Sequence, residues 1–259
     1  MSRARSSVAA ASALALLTAA ACTRASQPRF DVAAAASLRA LCDDLGAAFA
    51  TAVPDAAPLR FATGSSGGLA AQIRRGAPFA LLLAADEATP LRLVQDGHAA
   101  AADLFRYARG ALVLWTRRDL GAALDDAGLA ALRRDDVHRV AVANPELAPY
   151  GRAALEALEH AGVLDALRPR LVLAENAAQT AHLARSGAVD AALVPRSLAA
   201  RLGGHQWAVP EALHAPIVHA GLVLARDDEG RAAARRVLEF LSGPQGCALL
   251  QRHGMSPAQ

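Results

Sequence analysis

The chain has 259 residues, 54% of them hydrophobic and 4% aromatic, with a formal charge of +3. Arg3 and Arg5 sit in a leader, and without them the charge is +1; no Lys/Arg cluster is interleaved with aromatics, so a general nucleic-acid binder is excluded. About 235 mature residues suffice for one large domain or two lobes of ordinary size.

In chain order, the first segment is an export signal over residues 1–21. Arg3 and Arg5 precede an apolar run over 8–17, and Ala19, Ala20 and Ala21 stand before Cys22. The string "LLTAAAC" matches a lipoprotein cleavage box except that Ala19 stands where Leu is more usual. Lipidation of Cys22 and release after an Ala-x-Ala site both stay open, and either places the mature chain in the periplasm. Cys42 and Cys247 could pair in an oxidising compartment, but Cys42 sits in an apolar stripe and reads as a buried thiol. No later stretch has the roughly 18 uncharged apolar residues of a membrane helix.

"FDVAAAA" (30–36) predicts a buried strand, followed by a helix over 38–52. "LRFAT" is a strand before a helix over 69–75, and "FALLLAA" (79–85) a strand before a helix over 90–95. "ALVLWT" (111–116) and "VHRVAVA" (137–143) are strands, the latter leading to a helix over 152–161. "LVLAE" precedes a helix over 177–185, then come "DAALVP" and the long strand "PIVHAGLVLA" (216–225). Helices over 229–241 and 245–253, broken by "SGP", close the chain. Apolar strands alternating with helices predict an α/β fold with parallel sheets covered on both faces. A strand pair within 103–116 breaks the alternation and marks a crossing between lobes, with a return near 192–207. The expected layout is lobe 1 over 28–110 plus 210–259 and lobe 2 over 111–209, with a ligand cleft between them.

Four strand-to-helix turns carry the candidate chemistry. Ser37 stands before the first helix in "AAAASL"; Ser65 and Ser66 lie in "TGSSGGL"; Pro149, Tyr150 and Gly151 lead into a helix in "NPELAPYGRAAL"; Asn176 precedes Ala177 in "AENAAQT". The first N–H groups of a helix lack internal partners, and that end carries about half a positive charge. Several such ends on one point hold an anion without Arg or Lys. Ser, Asn and Gly there also serve as ordinary caps, but the double serine and double glycine of "GSSGG" exceed what capping needs.

The stretches "AAAASL", "GSSGGLAAQIRRGAPFALLLAADE", "NPELAPYGRAAL", "AENAAQTAHLARSGAVDAALVPRSLA" and "LSGPQGCALLQRHGM" resemble, in order, the periplasmic molybdate-binding proteins of ABC importers. The resemblance implies a two-lobed periplasmic binding protein fold with no enzymatic activity and no cofactor. Its ligand is molybdate or tungstate and its partner an ABC permease in the inner membrane; the binding protein is a monomer. It places Ser37 and Ser66 as hydroxyl donors, Tyr150 and Ala177 as backbone N–H donors, and Ser65 as a neighbouring donor. Pro195 stands where many members carry an anion-binding tyrosine. This chain is closer to the branch lacking it, in which the residue before Ser37 can contribute; here that is Ala36, limited to a backbone contact.

Two other readings compete. Gly64, Ser66 and Gly68 fit the G-x-S-x-G elbow of a serine hydrolase, which would need one of His205, His214, His219 or His253 and an acid such as Asp165 or Asp190 beside Ser66. No "HGGG" motif precedes it. His214 and His219 flank Pro216 in poor metal-ligand geometry, and Asp86–Glu87 reads as a helix-start turn. Phosphate carries a proton at neutral pH and would want an acceptor that none of the four turns supplies; sulfate remains an alternative anion.

Overall fold

A computed structural model describes residues 30–117 and 120–258; the export signal over 1–21 and Cys22 lie outside them. The elements are β1 (Phe30–Ala35), a 3-10 turn (Ala36–Leu38), α1 (Arg39–Ala52), β2 (Leu59–Gly64), α2 (Ser66–Arg74), β3 (Leu81–Ala84), α3 (Ala88–Gln95), β4 (Leu104–Gly110), β5 (Leu112–Thr116), α4 (Gly121–Ala127), β6 (Val140–Ala143), α5 (Pro149–His160) and α6 (Leu164–Leu167). They continue as β7 (Leu171–Ala174), α7 (Ala177–Arg185), β8 (Ala191–Pro195), α8 (Arg196–Ala199), β9 (His205–Ala208), β10 (Ile217–Val223), α9 (Asp228–Ser242), α10 (Pro244–Arg252) and β11 (Ser256–Pro257).

The strands form two sheets. One has the order β11-β4-β10-β3-β1-β2, the other β7-β6-β8-β5-β9. The fold is α/β as the alternation predicts, but the sheets are mixed rather than parallel. β1 pairs parallel with β2 and β3, and β6 with β7 and β8, whereas β10 runs antiparallel to β3 and β4, and β5 to β8 and β9. The exceptions are strands beside the crossings: β4 runs through Ala111 into β5 of the other sheet, and β10 brings the chain back. A strand buried on both faces reads as the same apolar run in either direction, so the sequence hides this. The expected return crossing over 192–207 is also corrected, because β8 and β9 both belong to the five-stranded sheet and the chain returns between Ala208 and Ile217.

The core is built from small and branched apolar side chains. Val32, Ala33 and Ala34 of β1 and Leu81–Ala84 of β3 are fully buried between helices. Asp103, wholly buried before β4, binds Arg231 through both carboxylate oxygens at 2.8 Å and Arg235 at 3.0 Å, which pins α9 to the sheet. Cys42 and Cys247 are both free thiols, and burial pushes the Cys42 thiol up to about 12. Among the described residues no helix is long and apolar enough to cross a membrane.

Two helices start three residues earlier than predicted. α2 begins at Ser66 rather than 69, capped by Ser65, and α5 at Pro149 rather than 152, with proline in the first position, where its missing N–H costs nothing. Ser66 and Tyr150 therefore lie inside first turns, with their N–H groups along the helix axis.

Candidate functional site

Between the two sheets lies a small cavity on which the C-terminal ends of β1, β2 and β3 and the starts of α5 and α7 converge. Ala36, Ser37, Ser65, Ser66, Tyr150 and Ala177 all line it, together with Ala35, Gly64, Ala85, Ala148 and Pro149. Its volume is about 10 Å³, about the room of one water molecule and far below the roughly 300–1,000 Å³ of clefts for drug-sized ligands. A larger cavity of about 610 Å³ lies elsewhere, lined by residues such as Phe30, Phe79, Leu224 and Asp227; none of the predicted site residues reaches it.

The hydrogen bonds at each helix start leave one donor over. In α2 the Gly68 N–H goes to Ser65 Oγ at 3.2 Å, Leu69 N–H to the Ser65 carbonyl and Gly67 N–H to the Leu147 carbonyl, both at 2.9 Å. The remaining first-turn donor is Ser66 N–H. In α7 Asn176 Oδ1 accepts from Ala178 and Gln179 N–H at 3.0 and 3.1 Å, and the Asn176 carbonyl takes Thr180 N–H, leaving Ala177 N–H. In α5 proline supplies no N–H, and Gly151 and Arg152 both donate to the Ala148 carbonyl, leaving Tyr150 N–H. The cap of each helix, with Leu147 for Gly67, takes the other first-turn donors and leaves the one on a residue that lines the cavity.

The two central serines are also set as donors. Ser66, 1% exposed, accepts from Ala85 N–H at 3.1 Å through Oγ, so its hydroxyl proton is free to point elsewhere. Ser37, 2% exposed, has an Oγ without any protein partner. A buried hydroxyl with nothing to bond is costly, and its position on the cavity wall accounts for it. Ser65 is engaged as the α2 cap, and Ala36 offers backbone alone. Pro195 lies off the cavity wall, as N-cap of α8.

No ionisable side chain other than the Tyr150 phenol lines the cavity. Beside the lining residues, Arg152, two residues past Tyr150, forms an ion pair with Asp86, next to Ala85, and Arg39, two residues past Ser37, donates to Thr63 Oγ1 at 2.7 Å. Asp86 also takes Thr89 N–H at 3.2 Å, the helix-start role expected of it, while Glu87 pairs with Arg106. Two neutral bonds join the same walls, Gly67 N–H to the Leu147 carbonyl and Ser197 Oγ to the Ser37 carbonyl at 2.7 Å. The cross-sheet bonds of Asp86, Arg152 and Ser197 were not legible in the sequence, since no motif links residues 66 or 160 positions apart.

The nucleophile reading of Ser66 finds no base. Among the described residues His205 pairs with Asp125, His253 with Asp44, His214 with the Ala215 carbonyl and His219 with Tyr150, and Ser66 Oγ is held by a backbone N–H. No group of three His, Cys, Asp or Glu residues among the described ones could hold a metal ion. The arrangement can accept electron pairs from a guest through hydrogen bonds, and it has no group with which to take a proton.

The sequence profile described as bacterial extracellular solute-binding protein matches residues 30–256. The molybdate-binding protein ModA of Rhodobacter capsulatus is 36% identical over 195 residues, 75% of each chain. Among solved structures, the periplasmic molybdate-binding protein of Azotobacter vinelandii superposes with a TM-score of 0.81 at 31% identity, covering 89% of this chain and 100% of that one. The sulfate-binding protein SubI of Mycobacterium tuberculosis shares the fold, with a TM-score of 0.73 at 15% identity over 89% of this chain and 87% of that one.

Proposed function

The chain belongs to the bacterial extracellular solute-binding protein family, and from that premise we propose that it captures molybdate or tungstate outside the cytoplasmic membrane for delivery to an ABC permease. The observation that carries the reading is the leftover set of donors: Ser66, Tyr150 and Ala177 N–H and the Ser37 and Ser66 hydroxyls, all lining one cavity. A dianion there meets dipoles and hydroxyls with no countercharge. Hydrogen bonds to a charged acceptor run about 1.5–3 kcal/mol each, enough in number to hold it.

Ser37 and Ser66 belong to the lobe 28–110 plus 210–259, and Tyr150 and Ala177 to the lobe 111–209. Full coordination therefore needs both lobes together, and the anion shifts the population toward the closed form. In the same proposal the 1–21 segment exports the chain, Cys22 is the candidate for lipid anchoring, and the protein works as a monomer without enzymatic chemistry. A lining dominated by N–H and O–H donors, with no carboxylate acceptor, favours an oxyanion without a proton. Parallel calorimetric titrations with molybdate, tungstate, sulfate and phosphate test this. We expect saturable heat with the first two at micromolar protein and at least about 100-fold weaker binding of phosphate, whose proton would leave an unpaired donor worth about 3 kcal/mol. No heat with molybdate or tungstate refutes the ligand assignment, and heat with sulfate alone reassigns the site to sulfate.

A further inference from the structure

A buried aromatic cluster made of two strands of the six-stranded sheet and the first turn of α5 sits behind the cavity wall. His219 of β10 is wholly buried, and its ring stands edge-on to Tyr107 of β4 and to Tyr150 of α5, with centroids 5.9 Å away in both cases. The Tyr150 hydroxyl and His219 Nε2 share a hydrogen bond of 3.2 Å. On the other side the Tyr107 hydroxyl donates to the Ala84 carbonyl at 3.3 Å, and the next residue, Ala85, holds Ser66 Oγ by its N–H. One cluster thus touches the backbone behind Ser66 and the side chain of Tyr150, whose own N–H borders the cavity.

Two features mark the histidine as more than filling. Its Nδ1 has no hydrogen-bond partner, a costly state for a buried polar atom that a leucine would avoid. The bond to Tyr150 is therefore its one polar contact. Room for that bond depends on Gly110, at the crossing between the sheets: a Cβ there would overlap the Tyr150 hydroxyl and stand 2.8 Å from His219 Nε2. Burial pulls the imidazole down to about 4, so it is neutral at neutral pH and places no charge behind the anion.

We propose that His219 is a positioning residue for the cavity, fixing the first turn of α5 through the Tyr150 hydroxyl and so the direction of the Tyr150 N–H. This rests on the anion-binding function proposed for the cavity. The test is calorimetric titration of molybdate into the wild type, Tyr150→Phe, His219→Leu, their double variant and His219→Gln, each with a ligand-free melting temperature. The expected result is about tenfold weaker binding for each of the first two variants, the worth of one hydrogen bond. The double variant should be no weaker than either, and His219→Gln, which keeps a polar partner for the tyrosine, should lie within about threefold of wild type. A purely structural histidine would lower the ligand-free melting temperature without this non-additivity or this rescue. Unchanged affinity in Tyr150→Phe, additive losses, or a glutamine no better than leucine overturns the positioning role alone. If His219→Leu does not fold, Tyr150→Phe and His219→Gln still decide. A wild type silent to molybdate overturns the functional reading, and the positioning role with it.

Discussion

Replacing Ser37 and Ser66 together by alanine is expected to weaken molybdate binding by about 10²–10⁴-fold, the sum of two hydrogen bonds to a charged acceptor. The two single variants should differ in the ligand-free protein. Ser37 Oγ is buried without a partner, so Ser37→Ala removes an unsatisfied group and should leave the melting temperature unchanged or raised. Ser66 Oγ accepts from Ala85 N–H, so Ser66→Ala orphans a buried donor and should lower it by a few degrees, at about 1–3 kcal/mol for the lost partner. Calorimetry and thermal melts on both singles and the double separate the two effects. Affinity within a factor of three of wild type in the double would mean that these hydroxyls do not face the guest.

Gly151→Ala carries the second large effect, because it reaches a donor that no side-chain deletion can remove. A Cβ at Gly151 would press on the Ala143 carbonyl group and lie 3.0 Å from the Asn144 carbonyl carbon, all backbone atoms with no rotamer to escape into. The first turn of α5 must then lift from the end of β6, and Tyr150 N–H moves with it. Overpacking of this kind costs about 1–3 kcal/mol, or about 2–12 °C in melting temperature for a protein of this size. Affinity should fall by more than tenfold, since a hydrogen bond to an anion is steep in distance and angle. A folded Gly151→Ala protein with wild-type affinity would remove Tyr150 N–H from the donor set.

The sequence was most legible where the chemistry is local. Serine before a helix, asparagine before Ala177 and proline ahead of Tyr150 act over one turn; of the residues named in these turns Ser37, Ser65, Ser66, Pro149, Tyr150 and Ala177 line the same cavity, and Gly151 and Asn176 do not. Helix starts were misplaced by three because Ser-Gly-Gly and Pro-Tyr-Gly carry no apolar periodicity, although their capping bonds make them helical. Strand direction was not legible, since the runs "ALVLWT" and "PIVHAGLVLA" are buried on both faces and look alike whichever way they run. Short elements such as α8 and β9 escaped notice for want of a full period. The contacts that join the two walls depend on residues far apart in the chain, as with Ser197 on the Ser37 carbonyl, Arg152 on Asp86 and His219 on Tyr150. A serine, an arginine and a histidine in those positions carry no local signal of their partners.

The central claim is that uncharged donors from both halves of the molecule converge on one dianion. Anomalous diffraction at the molybdenum edge from crystals grown with molybdate tests it most directly. The account predicts a single strong peak within hydrogen-bond reach of Ser37 Oγ, Ser66 Oγ and the N–H groups of Ser66, Tyr150 and Ala177. A peak against arginine or histidine side chains elsewhere, with this cavity filled by water alone, would contradict it.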